Sequence, residues 1–222
     1  MISLQGLPQV ITAIGGLGTA AFGLVDASKA LWGGVNHIGF GAIKKTVVSL
    51  TPGSPANALS QDKIVATLRA NWFNGTDLGS QKSIAKSLIK LNFNATNATA
   101  LAGTTGVDPA VLTIVATSIK AGTALTTAQS DVYARFDLII TALLDETYQR
   151  ADNLYRNWTR AIAAVVAVVL AIVGGKTLNP VLDTVQSVIV GLLAMPLAPI
   201  AKDLSSALAT ATNAMQLVKK MG

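Results

Sequence analysis

Apolar residues gather in long runs towards the two ends of the chain, while the middle mixes apolar and polar positions at helical spacing. Residues 7–25 (LPQVITAIGGLGTAAFGLV) lie in an N-terminal stretch with no charge before Asp26. Residues 161–175 (AIAAVVAVVLAIVGG) are the most hydrophobic run, and residues 184–201 (TVQSVIVGLLAMPLAPIA) follow after a short turn. A helix crosses a bilayer with roughly 20 mostly apolar residues, so all three are candidate spans. The second is short, but Trp158 and Arg160 at one end and Lys176 at the other extend it by holding polar tips at the headgroups. Asn179-Pro180 signals a tight turn between spans two and three, and Pro196 and Pro199 predict a kink or a loosened last turn near the end of span three. No Lys or Arg precedes the first run, so it reads as a retained helix rather than a cleaved leader.

Between the first run and the hairpin, the pattern predicts helices separated by loops. Residues 30–43 are uncharged but glycine-rich and too short to span, which predicts an interfacial or re-entrant stretch anchored by Trp32, Lys44 and Lys45. Ser60 is expected to cap a helix reaching about Phe73 with Gly75 as terminator, and Ser80 to open another reaching about Leu91. Residues 92–106 (NFNATNATALAGTTG) show no periodicity and read as a loop. Asp108-Pro109 is a cap followed by proline at the first helical position, with Gly122 as the stop. Thr126 and Gln129 fit a capping box, and no breaker intervenes from Ala128 to Val173, so one long helix is expected to run straight into span two. Its apolar stripe is Phe136, Ile140, Leu144, Tyr148, Ala151, Tyr155 and Trp158. That spacing suits packing either within this chain or between subunits. A final amphipathic helix, residues 203–222, is expected after the kink.

Composition turns these spans into a protein class. Hydrophobic residues make up 51% of the chain and charged residues 13%, against roughly 25% charged in ordinary soluble domains. Mean hydropathy is +0.52. With no Cys and one His, disulfide frameworks, thiolate chemistry and multi-His metal centres are excluded. All seventeen Lys and Arg except Lys176 fall on one side if the N-terminus lies outside, which predicts an N-out, C-in orientation. The net charge of +6 then belongs mostly to the inner face and suits anionic lipid; it calls for no nucleic-acid partner.

The side chains that carry chemistry are few. Gly15, Thr19 and Gly23 recur every four residues, as do Gly16 and Ala20, giving a small-residue ridge for another helix of this chain or of a second subunit. Lys82, Lys86 and Lys90 form a stripe that is either a solvated face or, with Trp32, Lys44, Lys45, Trp158 and Arg160, an anchor for lipid headgroups. The sole His, His37, is a candidate for axial ligation of a pigment, the alternative being a hydrogen-bonded interfacial His. Asp145 and Glu146 are adjacent and point about 100° apart on a helix, a poor arrangement for an acid–base pair. No ionisable residue lies inside any candidate span, which argues against a proton or ion relay. Neither a cofactor nor a catalytic site is expected. Four Asn-x-Thr sequons, at Asn74, Asn94, Asn97 and Asn157, lie in the segment expected inside and are discounted.

The junction from Leu144 to Arg156 (LDETYQRADNLYR), entering an apolar span, resembles a family of uncharacterised bacterial inner-membrane proteins. In that family an acidic pair precedes Arg and an aromatic-basic pair just ahead of a transmembrane hairpin. About 40 residues carry the resemblance; Leu154 and Asn157 stand where the family tends to have Trp and further Lys or Arg. It implies a bacterial inner-membrane location and no particular activity.

The expected fold is all-α with about three transmembrane helices and a helical cytoplasmic segment. The expected organisation is residues 1–45, first span and glycine-rich stretch; 46–157, cytoplasmic or surface segment; 158–202, transmembrane hairpin; and 203–222, final helix. The expected function is a membrane-embedded scaffold or anchor that contacts lipid and assembles with itself or within a larger membrane complex. The rivals are an oligomeric pore, and an accessory subunit holding pigment or lipid.

Overall fold

The computed structural model describes residues 7–53, 60–177 and 181–221, and these form helices without a strand among them. The helices are α1 (Leu7–Trp32), α2 (Asn36–Ser49), α3 (Gln61–Phe73), α4 (Leu78–Asn92), α5 (Ala95–Thr105), α6 (Pro109–Ala121), α7 (Thr127–Gly175) and α8 (Thr184–Met221). The chain divides into two compact units: unit 1 comprises Met1–Val35 and Arg156–Gly222, and unit 2 comprises Asn36–Tyr155. Residues 36–45, expected with the first span, therefore belong to unit 2, and the final helix is not a separate segment but the continuation of α8.

Unit 2 is built around large side chains. The stretch expected to be interfacial or re-entrant comprises a helix end, a turn and a new helix. Gly33 and Gly34 take positive φ (80° and 44°), which stops α1, and α2 then buries Phe40, Ile43 and Val47 in the core of unit 2. Gly39 has to lack a side chain there, because a Cβ would stand 2.5 Å from the Trp72 ring and 2.8 Å from the Ala151 carbonyl oxygen. Ser60 occupies the N-cap of α3, and Gly75, at φ 69°, lies just past its end.

Helix α4 opens earlier than expected. Asp77, not Ser80, is the cap, and its carboxylate accepts from the Ser80 backbone N–H at 2.8 Å. The expected loop over residues 92–106 is mostly helix α5. Its low periodicity hid a capping box made by two asparagines: Asn94 accepts from the Asn97 N–H, and Asn97 accepts from the Asn94 N–H at 2.9 Å. Asn97 also donates to Asn92, and Ala98, Leu101 and Ala102 bury one small face. Helix α6 begins at Pro109 behind the Asp108 cap and stops at Gly122 in the left-handed conformation. The Thr126–Gln129 box opens α7, which continues unbroken for 49 residues.

Unit 1 is built the other way round. Apart from Val25 and Val35, its buried positions are small, among them Gly15, Gly18 and Ala21 on α1, Ala163, Ala167 and Ala171 on α7, and Gly191, Ala194, Ala198 and Ala201 on α8. Its large apolar side chains point outward, among them Leu24, Val165, Val169, Val173, Val185, Ile189 and Leu192. Among the described residues, three stretches are long and apolar enough to cross a membrane: Val10–Lys29, the apolar part of Thr127–Gly175, and Thr184–Ala201, with hydropathies of 1.6, 2.0 and 1.8. Helix α8 passes through Pro196 and Pro199 without a break. The Asn179-Pro180 turn lies outside the described residues.

Candidate functional site

The small-residue seam of unit 1 is the first feature that could carry function. A Cβ on Gly15 would stand 2.6 Å from the Leu197 carbonyl oxygen, and one on Gly18 would stand 3.0 Å from the Ala198 methyl. On α8, a Cβ at Gly191 would lie 2.5 Å from Val168 Cα. Only residues without bulk allow backbones this close, and the gain is dispersion contact over the whole seam. Ala21, Ala167 and Ala194 close its centre, flanked by Ile14, Leu17, Val166, Leu170 and Met195.

Of the ridge expected on α1, only Gly15 sits in this seam. Gly16 and Gly23 have open space where a Cβ would go, and Thr19 and Ala20 are exposed. The packed face follows Gly15, Gly18, Ala21 and Val25, a spacing of three, three and four rather than four and four. Gly18, Ala21, Gly191, Ala194 and Ala198 lie outside the ridge expected from the sequence. The available signal was the recurrence of small residues every three or four positions in all three runs, most plainly Ala163, Ala167, Ala171 and Gly175.

The second feature is an ion-paired seam in unit 2. Lys82, Lys86 and Lys90, expected to face solvent or headgroups, turn instead to carboxylates on α7. Lys82 Nζ meets Asp145 Oδ1 at 2.6 Å, while Lys86 and Lys90 clamp the two oxygens of Asp137 at 2.7 and 3.0 Å. These lysines flank the α4 face that buries Ala85 and Ile89, so each ammonium reaches over the core's rim while its methylenes cover apolar surface. Burial by itself would raise the Asp137 carboxyl, but hydrogen bonds from Lys86 and Lys90 outweigh it and hold it below the usual carboxylate value. Lys90 is raised: partial burial opposes its charge, and Asp137 and the nearby Tyr133 more than compensate.

The aromatic stripe packs within the chain. Phe136, Ile140, Leu144, Tyr148 and Ala151 are buried in unit 2, Tyr155 is half-buried against Trp72, and Trp158 is exposed. Burial pushes the Tyr148 phenol upward, and its hydroxyl has no hydrogen-bond partner among the described residues. Among the expected anchors, Lys44, Lys45 and Arg160 are exposed, and the Trp32 side chain lies outside the described residues. His37 is exposed on α2 with its ring edge-on to Phe73 at 4.9 Å. Beside it, Asp62, Val65, Ala66, Arg69, Ala70 and Phe73 line a shallow, open depression. No group of three or more His, Cys, Asp or Glu placed to hold a metal occurs among the described residues.

No family model, curated protein or solved structure matches the chain. What defines its class is therefore the fold alone: among the described residues, an all-helical protein with three helices long and apolar enough to span a membrane.

Proposed function

We propose that the protein is a membrane-embedded anchor or scaffold, in which unit 1 is immersed in lipid and unit 2 is the helical domain it holds at the membrane face. The observation that carries this reading is the reversed size order of unit 1, with Ala and Gly buried and Val, Ile and Leu outward. In water that surface would expose a large apolar patch, which soluble monomers rarely tolerate. In hydrocarbon it has no cost, and close backbone packing supplies the cohesion. The exposed Arg160 and Lys176 stand at the two ends of the α7 span, where headgroups would meet them. The basic excess supports a position of unit 2 on the inner face, and the junction signature before the hairpin supports a bacterial inner membrane. Lipid is the first partner, and a second copy or a larger membrane complex would share the same outward face.

A pore is the weaker alternative. The seam within one chain is filled by Ala and Gly in contact, and the polar residues of the α8 span, Thr184, Gln186 and Ser187, all sit at one end. Membrane flotation followed by alkaline carbonate extraction tests the reading, with cross-linking in mild detergent to count subunits. The protein is expected to float and to resist extraction. A monodisperse monomer in the detergent-free supernatant would overturn it.

A further inference from the structure

Within unit 2, the cations divide into two sets. Lys82, Lys86 and Lys90 are engaged by Asp137 and Asp145, and Arg150 by Glu146. Helices α2 and α3 carry four more, Lys44, Lys45, Lys63 and Arg69, against one acid, Asp62. Among the described residues, none of these four forms an ion pair. The two helices lie side by side in opposite directions. At one end the Trp72 indole N–H donates to the Asn36 carbonyl oxygen at 2.8 Å, and at the other the Gln61 amide donates to the Val48 and Thr51 carbonyl oxygens at 3.1 and 2.9 Å.

His37, Gly41, Lys44, Lys45 and Val48 share the exposed face of α2. His37 stands edge-on to Phe73 at 4.9 Å, where the depression on α3 ends. One turn on along α2 and one turn back along α3 bring Gly41 level with Arg69, and the next turn brings Lys44 and Lys45 level with Ala66 and Val65. A Cβ on Gly41 would meet open space, so the surface is a shallow groove there. Its floor is apolar, with Val65, Ala66, Ala70 and Phe73, and the Arg69 guanidinium lies over the Phe73 ring, 4.9 Å from its centre. An apolar floor under a cationic rim suits a ligand with an anionic head and an apolar shoulder.

Anionic lipid is the occupant that the chain itself brings near. The Trp72 ring meets Tyr155 edge-on at 6.0 Å, and six residues past Tyr155 on the same helix the apolar run opens at Ala161, about 9 Å along the axis. We propose that the α2–α3 groove binds an anionic phospholipid. The phosphate accepts hydrogen bonds from Arg69, Lys44 and Lys45 add attraction, and the glycerol and first acyl carbons rest on Ala66, Ala70 and Phe73. This rests on the reading of unit 1 as a membrane module.

The test uses full-length protein in vesicles of phosphatidylcholine, alone or mixed with phosphatidylglycerol, with a nitroxide on some headgroups as quencher. The chain has no Cys, so Ala66→Cys takes one fluorophore in the groove, and Ala142→Cys, exposed on α7, serves as the control. In mixed vesicles the label at residue 66 is expected to be quenched more than that at residue 142, and salt or pure phosphatidylcholine to remove the difference. Adding Arg69→Glu and Lys44→Glu is expected to lower the ratio of docked to undocked groove at least about tenfold, with flotation unchanged. A floating protein whose residue 66 stays unquenched would overturn the lipid site and leave the membrane reading standing. Quenching that survives the two charge reversals would overturn it as well. Shielding of residue 66 in lipid-free detergent, together with cross-linked pairs, would give the groove to a second copy instead. Failure to float would overturn the membrane reading, and the lipid site with it.

Discussion

Units 1 and 2 use the same residue types in opposite places. Unit 2 buries Phe136, Tyr148, Trp72, Leu68 and Ile89 and holds its rim with Lys–Asp pairs. Unit 1 buries Ala and Gly and turns Val165, Val169 and Ile189 outward. On the proposed membrane reading, the difference follows from the solvent around each unit. In water, the return from burying a large apolar side chain scales with its area, so the largest go inside. In lipid, a side chain gains nothing by leaving its surroundings, and only the closeness of backbones distinguishes packed from separate helices. One chain thus carries two rules for what belongs in a core, and α7 belongs to both: large residues every three or four positions as far as Tyr148, then Ala163, Ala167 and Ala171 at the same spacing.

The largest effect should come from paired truncations. Phe136→Ala removes a fully buried ring and should cost unit 2 about 3–5 kcal/mol, whereas Val169→Ala, on the outward face of unit 1, should leave stability in detergent nearly unchanged. Thermal unfolding of the two purified variants checks this, and comparable losses would erase the distinction between the units. Next comes enlargement. Gly191→Leu forces a side chain into the Val168 backbone and should cost about 1–3 kcal/mol, read as weakened resistance to helix separation in detergent. An unchanged variant would mean the seam is not close-packed.

The smallest effect concerns the ion-paired rim. The Asp137 carboxyl is depressed in the folded state, so its contribution is complete above the ordinary carboxylate value near 3.8 and is lost as pH falls through the lower folded value. Asp137→Asn should remove that acid-side loss from unit 2. Near neutral pH it should cost at most about 1 kcal/mol, because the pairs are partly solvated. Acid titration followed by near-ultraviolet dichroism checks both; a variant with an unaltered acid profile would assign the loss to other groups.

Legibility followed the same division. Caps with distinctive chemistry were readable, as at Asp108-Pro109 and the Thr126–Gln129 box, because the side chain that satisfies the first turn is local. Helix α5 was not, since an Asn-to-Asn box among Ala, Thr and Gly resembles a loop until Asn97 finds Asn92. The lysine stripe on α4 was visible, yet its partners on α7 lie 47 to 63 positions away, and no local pattern names them.

What the sequence determined alone was where helices lie and which of them are apolar enough for lipid, because propensity, capping and hydropathy act over one or two turns. Which small residues face one another, that Lys86 and Lys90 share Asp137, and that α1 meets α8 head to tail were decided only by tertiary structure. A helix presents several faces that local energies leave nearly equal. The face that packs is chosen by the shape of a partner far along the chain.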